Sequence, residues 1–94
     1  MTPDEILAVV EEMVEMDEIE VPQYPDLKDA LIGYAEPWDP SGDKTLRLVY
    51  SYKKCIECLM KDGMDYDEAR EWMSFNVEGG YIGPYTPIIM YDEV

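Results

Sequence analysis

The sequence predicts an α+β domain in which helices cover a small, mainly antiparallel sheet, in the order α-β-β-α-α-β. Three observations carry that expectation. Apolar residues recur at helical spacing in three segments, near residues 3–16, 51–62 and 65–76. Two short apolar runs, at 30–35 and 45–50, flank a concentration of turn formers, and a last run at 86–91 follows a glycine-rich loop. The length of 94 residues, 47% of them apolar and 12% aromatic, fits one domain spanning 1–94 with a packed core rather than a disordered chain.

The first helix opens on Thr2 as a capping hydroxyl, Pro3 at the first helical position, and Asp4 and Glu5 beside the positive end of the helix dipole. Ile6, Val9, Val10 and Met13, flanked by Leu7 and Val14, form its apolar stripe, which predicts a helix from Pro3 to about Met16. Its other face carries Glu5, Glu11, Glu12 and Glu15, and the acids continue through Asp17, Glu18 and Glu20. Val21-Pro22-Gln23-Tyr24-Pro25 disfavours both helix and central strand, because each Pro lacks an N–H and restricts the residue before it. Residues 17–29 are therefore expected to be loop, leading into an α+β core over 30–91.

Ala30 to Ala35 reads as a buried strand and Thr45 to Tyr50 as its antiparallel partner. Between them, Glu36-Pro37-Trp38-Asp39-Pro40-Ser41-Gly42-Asp43-Lys44 makes the long tip of a hairpin. Ser51 caps a second helix with Tyr52, Cys55, Ile56 and Leu59 on one stripe and Lys54, Glu57 and Lys61 facing water. Gly63 stands where a left-handed C-cap is expected, with Met64 folding back onto the helix end. Asp65 and Glu68 have capping-box spacing, and Ala69, Trp72, Met73 and Asn76 mark the inner stripe of a third helix. Gly79-Gly80 and Gly83-Pro84 end it, and Thr86 to Tyr91 reads as a last strand, with Pro87 at its beginning or on an edge.

Composition excludes several functions. Twenty-two Asp and Glu against seven Lys and Arg leave a formal charge of −15 and a pI near 4.1, which disfavours binding to nucleic acid or to an anionic membrane. The absence of His removes the commonest general base, zinc ligand and neutral-pH switch, so a hydrolase with a His-oriented nucleophile is excluded. The N-terminus has no basic segment, and no apolar run approaches the roughly 18 residues of a membrane span, so a cytoplasmic protein is expected.

Motifs with chemical potential are few. Cys55 and Cys58, at i and i+3, share a helix face, but no second Cys pair and no His completes a zinc shell, and mid-helix placement does not lower a thiol pKa. Core or flanking cysteines are the expected reading. Asn76 is expected to be buried and to satisfy loop backbone groups after the helix end rather than to contact a ligand. The glycines of 79–83 follow a helix and precede a strand, the reverse of a phosphate cradle. The turn at 62–64 joins two helices, yet Asp65, Asp67, Glu68 and Glu71 oppose a DNA-reading second helix. No loop has EF-hand spacing. Trp38, Tyr81 and Tyr85 are candidates for exposed aromatics.

Charge distribution is the most informative feature. Residues 1–43 hold 13 acids and one base, Lys28, whereas residues 44–94 hold 9 acids and 6 bases. Self-repulsion within such a cluster reduces stability. A solvated acidic face that keeps the chain soluble explains it in one way. The other explanation is that Glu5, Glu11, Glu12, Glu15, Asp17, Glu18 and Glu20 imitate a row of phosphates and occupy the Arg/Lys-lined groove of a partner.

From about residue 30 to 88 the chain resembles an uncharacterised family of small proteins encoded by bacteriophages and prophages. The likeness lies in Ala30-Leu31-Ile32-Gly33, in Tyr52-Lys53-Lys54-Cys55-Ile56-Glu57-Cys58-Leu59-Met60, in Asp62-Gly63-Met64-Asp65-Tyr66-Asp67-Glu68-Ala69, and in Phe75-Asn76-Val77 with Gly83 and Thr86-Pro87. It departs at Trp72-Met73-Ser74 and at Gly79-Gly80. The resemblance brings no catalytic, cofactor or metal residues onto this chain. Small size and high acidity are similar to the proteins with which phages block host defences, DNA mimics and anti-CRISPR proteins among them.

The resulting expectation is a non-enzymatic phage protein that needs no cofactor and inhibits a basic, nucleic-acid-handling host protein from the host cytosol. The alternatives are a non-catalytic structural or oligomeric binding module acting through 81–91, and a small enzyme or metal protein built on Cys55 and Cys58.

Overall fold

Each α-helix starts after a residue whose side chain answers its orphan amides. In a computed structural model describing residues 1–16, 19–38 and 40–92, α1 spans Pro3–Val14. Thr2 Oγ1 accepts from the Glu5 amide at 3.2 Å while Glu5 Oε1 accepts from the Thr2 amide at 3.0 Å. A 3₁₀ helix, Pro25–Ala30, leads into β1, Leu31–Ala35. β2, Arg47–Ser51, runs directly into α2, Tyr52–Lys61, whose N-cap is Ser51. α3 is Tyr66–Asn76, closed by the expected Asp65/Glu68 capping box, and β3 is Ile88–Met90.

The architecture is the α+β class, in the order α-β-β-α-α-β. β1 and β2 pair antiparallel, Tyr34 opposite Leu48 and Ala35 opposite Arg47, with a bulge between Leu31 and Gly33. The third strand joins the other edge of β2 in parallel, Val49 opposite Ile88 and Tyr50 opposite Ile89, which makes the three-stranded sheet mixed. The parallel pairing follows from the connection, since a crossover long enough to return the chain in the same direction is supplied by α2 and α3. α1 lies against β1, α2 against the 3₁₀ helix, and α3 against α2. Ile6, Leu27, Leu48, Tyr50, Cys55 and Met73 are the fully buried centre of the single core.

Element boundaries differ from expectation along the chain, including β1, which begins at Leu31 because Ala30 ends the 3₁₀ helix, and β2, which runs on to Ser51. α1 stops at Val14 rather than Met16, because its last turn holds acids and no base at the negative end of the helix dipole. The segment 17–29 is not all loop: Pro25 starts the 3₁₀ helix, which turns Leu27 and Ala30 inward, and the Leu31 amide donates to the Lys28 carbonyl at its end. β2 begins at Arg47 because Thr45 closes the neck of the hairpin, donating its amide to the Pro37 carbonyl at 3.0 Å. β3 is shorter than 86–91 because Thr86 belongs to the glycine loop, its hydroxyl accepting from the Ile82 amide at 2.9 Å and donating to the Gly83 carbonyl at 2.6 Å.

Gly63 is the C-cap at which glycine is required. Its φ of +109° lets its amide reach the Met60 carbonyl and the Met64 amide reach the Leu59 carbonyl, at 3.0 and 3.2 Å. Met64 then packs half-buried on the core, as expected.

Candidate functional site: the acidic arc of α1

The stripe that buries Ile6 and Val10 fixes where the carboxylates of α1 point. At 100° per residue, Glu11, Glu15 and Glu12 fall on the side of the helix away from that stripe, and all three are exposed. Glu11 and Glu15, and Glu12 and Glu15, are helix neighbours, with Cβ atoms about 5–6 Å apart. No basic residue is interleaved among them. Glu20 is exposed just beyond the helix.

Other expected members of the cluster are differently employed. Glu5 is exposed but serves the capping box, and the Thr2 amide and hydroxyl hold its carboxyl below the usual range. Asp4 pairs with Lys28 at 2.6 Å, which brings the lone base of the N-terminal half onto the acidic helix and raises the Lys28 pKa through that bond. Asp17 and Glu18 lie outside the described residues. Among the described residues, the part of the cluster that faces solvent without such a role is therefore Glu11, Glu12, Glu15 and Glu20.

Beside this arc the structure adds something that sequence reasoning missed. Leu7 and Val14 on α1, and Ile19 and Val21 on the segment after it, line an open groove of about 200 Å³ with Val10 and Leu48 beneath them. It adjoins a wider depression of about 450 Å³ that shares Glu11, Val14 and Ile19 and adds Glu12 and Glu15. Carboxylates thus rim an apolar floor. The signal in the sequence is the alternation Ile19-Glu20-Val21, which continues the apolar and acidic mixture past the helix end.

The remaining candidates separate clearly. Cys55 is buried, and burial pushes its thiol pKa up to about 12; Cys58 is half-buried and also raised, first by burial and then by Asp29, Asp62 and Glu57. Both are poor nucleophiles at neutral pH. Among the described residues no group of three or more Cys, Asp or Glu side chains is arranged to hold a metal ion. Asn76 is exposed, not buried, and its amide nitrogen donates to the Trp72 carbonyl at 2.9 Å, so it serves its own helix rather than the following loop.

Trp38 is 70% exposed on the hairpin, with the Lys44 ammonium 5.0 Å from its ring centre. Tyr81 is also exposed, whereas Tyr85 is half-buried. Tyr81 borders an open groove of about 350 Å³ with Val77, Pro87, Ile89, Tyr91 and Arg47. Among the described residues no helix is long and apolar enough to cross a membrane. Comparison with known proteins finds no matching family, no curated relative and no similar solved structure.

Proposed function

We propose that this chain is a small, non-enzymatic phage protein that inhibits a basic, nucleic-acid-handling host protein, with Glu11, Glu12, Glu15 and Glu20 occupying positions that phosphates take in the partner's groove. The observation that supports this reading is the arc of exposed carboxylates on α1, uninterrupted by any base. Such an arc destabilises its own helix, because like charges at i and i+4 repel and because acids at the C-terminal end oppose the dipole. An anti-restriction or anti-CRISPR role matches that chemistry, since both kinds of target carry a basic groove for nucleic acid. The partner is met in the cytosol of the host.

The test is competition. The immobilised chain is offered host lysate, the proteins eluted between 0.1 and 1 M salt are identified, and duplex DNA is titrated against each re-formed complex. A DNA-binding protein displaced by DNA supports mimicry. A partner that retains its DNA while bound to the chain overturns it.

A second reading, a non-catalytic structural or oligomeric module, is favoured by the exposed Tyr81 and Tyr91 on the groove at β3 and by the exposed Ile82 next to Tyr81 in sequence. Sedimentation across a hundredfold concentration range decides it: a strict monomer eliminates self-assembly through that face.

A further inference from the structure

At the groove between α1 and residues 19–23 an apolar surface meets the acidic arc. We infer that it receives a basic amphipathic segment of the partner protein, one whose aliphatic side chains enter the groove while flanking Lys or Arg side chains engage Glu11, Glu12, Glu15 and Glu20. This deepens the function proposed above and rests on it.

Two features select that occupant. The floor, Leu7, Val14, Ile19 and Val21, is half-buried and reachable, while Val10 and Leu48 beneath it are closed to solvent at 4% and 0% exposure. Carboxylates that stand in for phosphates are met by cations and polar donors and make no use of such a floor themselves; an apolar anchor does. The rim then decides the charge. A second copy of a chain with net charge −15, or a nucleic acid or an anionic membrane, would bring like charge against four carboxylates, whereas a cationic segment neutralises them. Along α1 the floor runs from Leu7 to Val14, about 10 Å at 1.5 Å per residue, a length that matches side chains two turns apart on an apposed helix. Both depressions are open to solvent rather than enclosed, which suits a peptide laid across them better than a sequestered small molecule.

The probes are two fluorescein-labelled peptides of equal length and charge: a Leu/Lys amphipathic helix, and the same peptide with every Leu replaced by Ser. Anisotropy is measured with the full chain at 0.05 and 0.3 M salt. The Leu/Lys peptide is expected to bind at least tenfold tighter at 0.3 M salt, where the Ser/Lys peptide falls away. Val14→Ser should weaken it at least fivefold, and Ile82→Ser, a control in the exposed glycine loop that does not line this groove, should leave it unchanged. In case Val14→Ser perturbs folding, methyl NMR of the unaltered chain supplies an independent readout, with shifts on peptide addition concentrated at Leu7, Val14, Ile19 and Val21. Equal affinity for both peptides, equal loss in the Val14 and Ile82 variants, or methyl shifts at Ile82 and Ile89 instead, overturns the groove. If both peptides bind alike and E11K/E12K/E15K abolishes both, the groove fails while the charge-based reading survives; that reading is decided separately by the DNA competition.

Discussion

Ser51 and Asp92 meet across 41 residues of sequence at the first turn of α2. The Ser51 hydroxyl donates to one Asp92 carboxylate oxygen and accepts from the Lys54 amide at 3.1 Å, while the other Asp92 oxygen accepts from the Lys53 amide at 2.9 Å. One serine is thus the last residue of β2 and the cap of α2, and the segment after β3 supplies the second cap. The parallel edge strand is held by side chains as well as by its short ladder.

Removing either partner therefore loosens both elements. Asp92→Ala is expected to lower stability by about 1 kcal/mol, the scale of a charge-assisted bond reduced by solvent. Ser51→Ala should cost about 1–2 kcal/mol, because the hydroxyl is buried and its loss strips the Lys54 amide and Asp92 together. A urea-denaturation double-mutant cycle with both changes should show coupling, and additivity would show that the bond contributes nothing.

The same site makes a pH prediction. The Ser51 hydroxyl, and after it the Lys53 amide, hold the Asp92 carboxyl below its ordinary value of 3.8. A depressed folded-state pKa stabilises the fold above the ordinary value and loses that contribution as pH falls through the folded one. The stability difference between the unaltered chain and D92N should be constant from pH 7 to about 5 and should shrink below pH 4. A gap that widens on acidification would contradict the assignment.

Tyr50 offers a test of the core. Its ring is 1% exposed and lies 5.4 Å from that of Tyr24, and its hydroxyl accepts from the Tyr24 amide at 3.0 Å. Tyr50→Phe keeps the ring but strands that amide beneath the chain entering the 3₁₀ helix, at a cost of about 1–2 kcal/mol. Hydrogen exchange should show the Tyr24 amide losing protection before the β1–β2 ladder does.

Charge reversal on α1 has opposite effects on folding and on binding. Lys at positions 11, 12 and 15 relieves like-charge repulsion and suits the negative end of the helix, so E11K/E12K/E15K is expected to melt no lower than the unaltered chain. Partner binding should nevertheless vanish. Retained binding by this folded variant would remove the acidic arc from the interface.

The thiols are predicted to be slow. With Cys55 raised to about 12 and Cys58 also raised, iodoacetamide at pH 8 should modify the native chain more slowly than a free thiol, Cys58 before Cys55. Denaturation should equalise the two. Rapid modification of native Cys55 would show a helix that opens readily.

Local chemistry made much of this fold legible from the sequence alone. Thr2, Ser51 and Asp65 announce three helix starts, Gly63 a stop, and Tyr52, Cys55, Ile56 and Leu59 a buried stripe, because each signal acts within a few residues and needs no distant partner. The outward placement of Glu11, Glu12 and Glu15 follows equally from the period of an apolar helix face. Tertiary structure alone decided the rest. Whether Thr86 to Tyr91 pairs parallel or antiparallel depends on how α2 and α3 return the chain, across the whole connection from Tyr52 to Pro87, over which no local preference acts. The 3₁₀ helix at Pro25–Ala30 exists because Leu27 and Ala30 have a core to enter and Tyr24 has Tyr50 to meet. Asp92 becomes a cap, Asp4 a partner for Lys28, and Ile19 and Val21 one wall of a groove only once separate segments are brought together. Those contacts combine burial and hydrogen bonding across long loops, and a one-dimensional pattern carries no record of which segments will meet.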